Sequence, residues 1–258
     1  MRAGGLAWRV EETCRNAWPA LRQVWFDGWV LHFSGGLTRR ANSANPLRAE
    51  CRDAEAVIAG CEALYGHHGQ PTIFRLPSLI EPGIDAQLAA HGYRSEGPSL
   101  VLYGEIGALL SQAVTALRDP AVSLLAQPGA EWLKAMAGLQ RHTAIEAGFY
   151  RGIIDRLAVP AAFAALSDDG GIAALGYAAH HDGLICYQSV VTDPARQRRG
   201  YARRIIASLA AWAADRGATG ACLEVEAGNA PARALYAAFG FDELYRYHYR
   251  RQPPADRR

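Results

Sequence analysis

A chain of 258 residues has length for one or two ordinary domains, and half its residues are apolar while a fifth are charged, the balance of a soluble globular protein. A formal charge of +2, with basic residues dispersed except around Arg196 to Arg204, excludes bulk nucleic-acid binding as an expectation. No apolar run approaches the ~20 residues of a membrane span, and five scattered cysteines without C-x-x-C spacing argue against a disulfide framework or a metal site. A reducing cytoplasm is the expected location, with no metal and no secretory leader.

In chain order, the first signal is Trp25, Phe26, Trp29 and Phe33, which alternate with polar positions as a half-buried strand would. Just after Gly35 and Gly36 comes Thr38-Arg39-Arg40-Ala41-Asn42-Ser43-Ala44-Asn45-Pro46, a stretch unusually rich in side-chain donors. It reads either as a plain polar strand and loop, or as a segment whose Arg39, Asn42 and Asn45 shape a substrate pocket or bind the other half. Residues 105–119 read as a connection. Beyond it come a strand at 121–125 and helices at 130–139 and 143–157. Strands follow at 161–166 and 172–179, joined by Asp168-Asp169-Gly170-Gly171 as a type I′ hairpin, and then at 184–191. A helix at 201–216 ends at Gly217. A strand at 221–226, a helix at 231–239 with Asn229 as candidate N-cap, and a last strand at 241–249 complete the order β-α-α-β-β-β-α-β-α-β.

The chain carries an internal echo. Gly92 and Gly240 are 148 positions apart, and the same offset superposes Ala89-Ala90 on Ala237-Ala238, Gly69 on Gly217, Gly28 on Gly176 and His32 on His180. The sequence therefore predicts two related halves, residues 1–104 and 120–258, the first a degenerate copy of the second.

The chemistry concentrates in Val190-Val191-Thr192-Asp193-Pro194-Ala195-Arg196-Gln197-Arg198-Arg199-Gly200-Tyr201-Ala202. A strand end, a short loop and a helix start fall together here. The unpaired N–H groups of a helix N-terminus form an anion site, for which a pyrophosphate is the natural occupant. Arg198, Arg199 and Arg203 add full charges. His142, His180 and His181 read as bases or ligands only weakly, since a lone histidine near a turn is more often structural or solvated.

The hexapeptide Gln197 to Ala202 fits the (Q/R)-x-x-G-x-(G/A) loop, and with Leu223-Glu224-Val225-Glu226, Asn229, Leu235-Tyr236 and Gly240-Phe241 in order, residues 120–251 resemble the GNAT superfamily of N-acetyltransferases. Within it the stretch is most similar to the ribosomal-protein alanine N-acetyltransferases and their relatives, and the segment from Thr38 resembles an N-terminal stretch of two-domain members. The resemblance implies an α/β fold of tandem GNAT-like halves, each a mixed, mostly antiparallel sheet flanked by helices. It implies acetyl-CoA as co-substrate, with Val190, Val191 and Thr192 backbone holding the acetyl and pantetheine groups. Gln197, Arg198, Arg199, Gly200, Tyr201, Ala202 and Arg203 would hold the phosphates, and Asn229 would bond the pantetheine arm or simply cap its helix. Glu224, with Glu226 as the alternative, would accept the amine proton; Tyr236 would protonate the leaving thiolate. The acceptor would be a small-molecule or peptide amine, with another acyl-CoA or a non-catalytic CoA-binding regulatory module as alternatives. Oligomeric state is open, a homodimer included.

Overall fold

The computed structural model describes residues 5–35, 38–112 and 119–254. In chain order the elements are α1 (Leu6–Ala17), β1 (Arg22–Phe26), β2 (Trp29–Phe33), β3 (Ala44–Pro46), α2 (Ala54–His67), β4 (Ile73–Pro77), α3 (Gly83–Ala90), β5 (Arg94–Glu105) and α4 (Ile106–Gln112). They continue as β6 (Val122–Leu125), α5 (Ala130–Leu139), α6 (Ala144–Ile154), β7 (Ala161–Asp168), β8 (Gly171–His181), β9 (Leu184–Thr192), α7 (Tyr201–Ala214), β10 (Gly220–Glu226), α8 (Ala230–Ala237) and β11 (Asp242–Arg251). From β6 onward this is the order read from the sequence, with a short 3₁₀ turn added at Pro194–Arg196; another, at Arg40–Asn42, lies between β2 and β3.

Two compact units divide the chain: residues 1–19, 102–225 and 229–244 form the first, and residues 20–101, 226–228 and 245–258 the second. This division cuts the chain differently from one into residues 1–104 and 120–258. Helix α1 belongs with the first unit, and β5 and β11 each contribute to both. Residues 106–112, expected as connection, form α4, which is too short to stand alone and buries Ile106 and Leu109.

In the first unit β6, β7, β8 and β9 pair antiparallel in sequence order, and β10 joins β9 in parallel, giving a mixed sheet with helices on it. Its core stacks Phe163 on Tyr177 at 5.1 Å, and sets the Trp132 ring edge-on to Phe163. Both polar tips are satisfied, as buried ones must be. Tyr177 donates to the Ala17 carbonyl (2.7 Å) and Trp132 to that of Ala164 (3.0 Å). Helix α6 starts on a capping box in which Thr143 and Glu146 exchange side-chain and backbone hydrogen bonds.

The second unit orders its strands β1-β2-β3-β4-β11, with β3 and β4 parallel and the other pairs antiparallel. Trp25 to Phe33 is two strands rather than one. Asp27 (φ 39°) and Gly28 (φ 79°) turn the chain between them, because type I′ geometry needs both central residues left-handed. All of β2 is buried, while Trp25 on β1 is 66% exposed. The β7–β8 connection departs from type I′ in turn. There the left-handed residue is Gly171, Asp168 pairs with Gly171, and the register slips between Leu166 and Ser167, the pattern of a turn closed by a glycine bulge.

The internal echo is visible in helix ends. After α2, Gly69 (φ 63°) reverses the chain and the Gln70 N–H bonds the Tyr65 carbonyl; after α7, Gly217 (φ 76°) does so and Ala218 bonds Ala213. After α3 and α8 the same cap recurs at Gly92 and Gly240, with Tyr93 bonding Leu88 and Phe241 bonding Tyr236. The glycines, the donors and the acceptors of the two caps all keep the offset of 148. The match of Gly28 with Gly176 fails, since Gly28 lies in a turn and Gly176 inside β8, whereas His32 and His180 both lie in strands, β2 and β8.

Candidate active site

Strand β9 carries the first feature of the site. Leu175 pairs with Val191 and Tyr177 with Gln188, so Ser189 and Val190 face Gly176 alone, a bulge in which Ser189 is left-handed (φ 53°). A Cβ on Gly176 would lie 3.1 Å from Val190 Cγ2 and 3.2 Å from Ile205 Cγ2, so the bulge sits against α7 because that residue is glycine. On its other edge, the parallel register of β9 with β10 runs from Leu184–Gly220 and ends, among the described residues, at Cys186–Cys222. Past that rung β9 continues to Thr192 and β10 to Glu226. Beyond that rung no pairing joins 189–192 to β10 among the described residues.

At the end of β9 the loop into α7 is tied down by charge. The Arg196 guanidinium bonds Asp168 (2.7 Å) and the Gly170 and Gly171 carbonyls (2.8 and 3.1 Å), and lies 3.2 Å from Asp193. Tyr201 donates to the second Asp168 oxygen at 3.0 Å. The Gly170 N–H, then the Tyr201 hydroxyl and the Arg196 and Arg199 charges, hold the Asp168 carboxyl below the usual range despite partial desolvation. With the loop so fixed, Arg198 (φ 62°) and Gly200 (φ 77°) both take the left-handed conformation just ahead of α7.

No side chain caps α7 and no acid stands in its first turn, so among the described residues no carboxylate caps its leading N–H groups, where the positive end of the dipole lies. A Cβ on Gly200 would meet no protein atom, so the glycine is required by φ, and the space before the helix is open. Arg198 and Arg199 are exposed beside it. Arg203, expected among the phosphate ligands, instead donates to the Gln112 carbonyl and lies over the Phe239 ring at 4.7 Å. Arg204 pairs with Asp119, one contact of which is 2.9 Å.

The proton-transfer candidates lie on β10 and α8. Glu224 is half-buried on β10 between buried Leu223 and Val225, whereas Glu226 is exposed and bonded to Arg39 at 3.4 Å. Tyr236 is buried on α8, edge-on to Phe241 (5.7 Å), and Phe241 is edge-on to Tyr187 of β9 (6.1 Å). Burial pushes the Tyr236 phenol well above its ordinary pKa, so it stays a donor at neutral pH. Asn229 caps α8, its side-chain oxygen accepting from Ala232 N at 3.1 Å. Burial lowers the His142 and His180 pKa values, which favours the neutral rings; His142 precedes Thr143, the cap of α6, and His180 lies near the end of β8.

The donor-rich segment in the second unit is occupied with its own fold. Asn42 accepts from Ser34 N and donates to the Thr38 carbonyl, both at 2.8 Å, and Asn45 donates to the Ser43 carbonyl at 2.7 Å; both residues are buried. These amides pin the loop and are not presented to a ligand. Arg39 reaches Glu96 and Glu226, and lies over the Tyr249 ring at 5.3 Å. At the α2 N-terminus, where α7 has Gly200, the cap is Asp53, whose carboxylate accepts from Ala56 N at 3.0 Å. A carboxylate there takes the anion's place.

Two features escaped the sequence. The bulge was signalled by a glycine inside a strand pattern, Gly176, which the repeat offset diverted to Gly28. The other is a cluster of Cys14, Cys186 and Cys222, fully buried, with thiol sulfurs all within 4.8 Å of one another. No spacing rule could have found it, because the three come from α1, β9 and β10.

Residues 8–250 match the family described as probable histone acetyltransferase Rv0428c C-terminal. The chain is 24% identical over 242 residues to the uncharacterized N-acetyltransferase YobR of Bacillus subtilis, covering 94% of this chain and 97% of that one. It is 29% identical over 125 residues to the probable histone acetyltransferase Rv0428c of Mycobacterium tuberculosis, 48% of this chain and 36% of that protein. Among solved structures, a GCN5-related N-acetyltransferase from Kribbella flavida shares the fold at TM-score 0.72 and 20% identity over 98% of each chain. A tandem GNAT protein from the clavulanic acid biosynthesis pathway does so at 0.67 and 14%, over 83% of this chain and 76% of that one. The chain belongs to the Rv0428c C-terminal acetyltransferase family and is an acetyltransferase of the GNAT type.

Proposed function

We propose that the chain transfers an acetyl group from acetyl-CoA to a primary amine by direct attack, at the opening between β9 and β10. The observation that carries this reading is the coincidence of that opening with an uncapped helix N-terminus behind Gly200. A pantetheine arm suits strand edges that have lost their partner, and a pyrophosphate suits N–H groups without a carboxylate. Val190, Val191 and Thr192 would bond the arm through their backbone; Gln197 to Ala202, with the Arg198 and Arg199 side chains, would hold the phosphates. Asn229 serves as helix cap, and Arg203 contributes through position rather than as a free cation.

In the reaction the amine nitrogen bonds the acetyl carbon as the carbon–sulfur bond breaks, the amine loses a proton and the thiolate gains one. An α-amine or lysine, with an ordinary pKa of about 8 or 10.4, needs an acceptor for that proton. Half-buried Glu224 is better placed for this than Glu226, which is exposed and engaged by Arg39. The Tyr236 hydroxyl protonates the thiolate, and the N–H near Val191 stabilises negative charge developing on the carbonyl oxygen.

Amines are the acceptor class, without nucleic acid or a membrane as partner. The name of the mycobacterial relative puts lysine peptides among the acceptors to try. Five free cysteines fit a reducing cytoplasm. A screen of amino acids, polyamines, amino sugars and lysine or N-terminal peptides, following CoA thiol release, tests the reading. At least one acceptor should release thiol in proportion to acetylated amine. Thiol release matched by none, or release only from longer acyl-CoA, would overturn it.

A further inference from the structure

Cys14 of α1, Cys186 of β9 and Cys222 of β10 meet inside the first unit. Cys14 Sγ lies 3.6 Å from Cys186 Sγ and 3.8 Å from Cys222 Sγ, and the three sulfurs fall within 4.8 Å of one another. We propose that these three residues form a trigonal site for one soft monovalent d¹⁰ cation, Cu(I).

Geometry comes first. With a metal–sulfur bond of about 2.3 Å, a planar trigonal set has sulfurs about 4.0 Å apart, so the two separations from Cys14, 3.6 and 3.8 Å, need change only a few tenths of an ångström and the third lies within 4.8 Å. Number and kind of ligand then choose the ion. Among the described residues no His, Asp or Glu joins the three thiols, so the fourth ligand of a closed zinc site is missing. Sulfur-only, three-coordinate sites select soft Cu(I) over borderline or hard cations. The surroundings are dry, since all three cysteines are buried, which excludes water as a competing ligand.

Charge sets the protonation of the bound state. Binding releases three thiol protons to solvent as three copper–thiolate bonds form, leaving a net charge of −2 on the site. The Gln188 amide donates to Cys186 Sγ at 3.2 Å and would support charge on that sulfur. Buried Glu11 opposes charge at Cys222, and its bond to Arg15 at 2.8 Å moderates this.

The cluster includes the last paired rung of β9 and β10, Cys186–Cys222, so a bound ion would brace the strands where they begin to part. The inference about the ion does not depend on acetyl transfer.

The test is an anaerobic titration of the full-length protein with Cu(I) against bicinchoninate as competitor. One equivalent should be taken up, with a thiolate-to-copper charge-transfer band in the ultraviolet, and copper-edge absorption fine structure should give three sulfur neighbours. Cys51→Ala and Cys61→Ala should retain the equivalent; Cys186→Ala or Cys222→Ser should lose it, circular dichroism confirming the fold. The fine structure needs no variant, so a misfolded mutant leaves the proposal exposed. Failure to compete with bicinchoninate, two sulfur neighbours, or loss of binding in Cys51→Ala would overturn it.

Discussion

Tyr236 and Glu224 are asked to do chemistry that their burial makes possible. Tyr236→Phe removes one hydroxyl from a buried ring, so turnover should fall on the order of 10²–10⁴-fold while acetyl-CoA affinity stays near wild type. Because burial raises the phenol above its ordinary value of about 10, its proton is retained through neutral and mildly alkaline pH. The kcat profile of the wild type should show no alkaline fall before about pH 10 from this group, and a fall centred nearer 8 would assign the acid role elsewhere. Glu224→Gln should lower kcat most at low pH, where the amine is mostly protonated, and Glu226→Gln should change it less than about threefold, as an exposed carboxylate paired at the surface would. Equal losses in both variants would mean that neither acts alone as base.

At the scale of elements, the bulge is the feature to perturb. Gly176→Val would drive side-chain atoms into Val190 and Ile205, costing about 1–3 kcal/mol in stability. As the displaced strand carries the backbone proposed to hold the pantetheine arm, acetyl-CoA affinity should drop about tenfold or more, the equivalent of about 1.4 kcal/mol. Thermal melts and calorimetry together check this; a destabilised protein with unchanged affinity would remove β9 from the site. The elements themselves were largely legible. Helices α5, α7 and α8 announce themselves by apolar spacing, and Gly217 and Gly240 by the need for a left-handed cap. What stayed hidden depends on neighbours distant in sequence. Type I′ geometry moved from Gly170 to Asp27-Gly28, Arg203 was claimed by the Gln112 carbonyl, and Asn42 and Asn45 turned inward to satisfy their own loop. Local pattern cannot distinguish a donor facing a ligand from one facing its own backbone.

At the scale of the molecule, the first unit takes α1 from the far end of the sequence. Val10, Cys14, Ala17 and Trp18 are buried in it, and the Ala17 carbonyl receives the Tyr177 hydroxyl. Truncating large apolar residues in a core costs about 2–5 kcal/mol each, against a total stability of about 5–15, so a fragment of residues 120–258 should not fold. A cooperative melt from that fragment would show that α1 is dispensable. The division of labour rests on two helix starts: open Gly200 before α7 and the Asp53 carboxylate before α2. Calorimetric titration of CoA into the wild type and into Gly200→Glu measures both at once. The account predicts one site per chain, weakened on the order of 100-fold, about 2.7 kcal/mol, when the glutamate occupies the mouth of α7. Two sites per chain, or undiminished affinity in a folded Gly200→Glu protein, would contradict it.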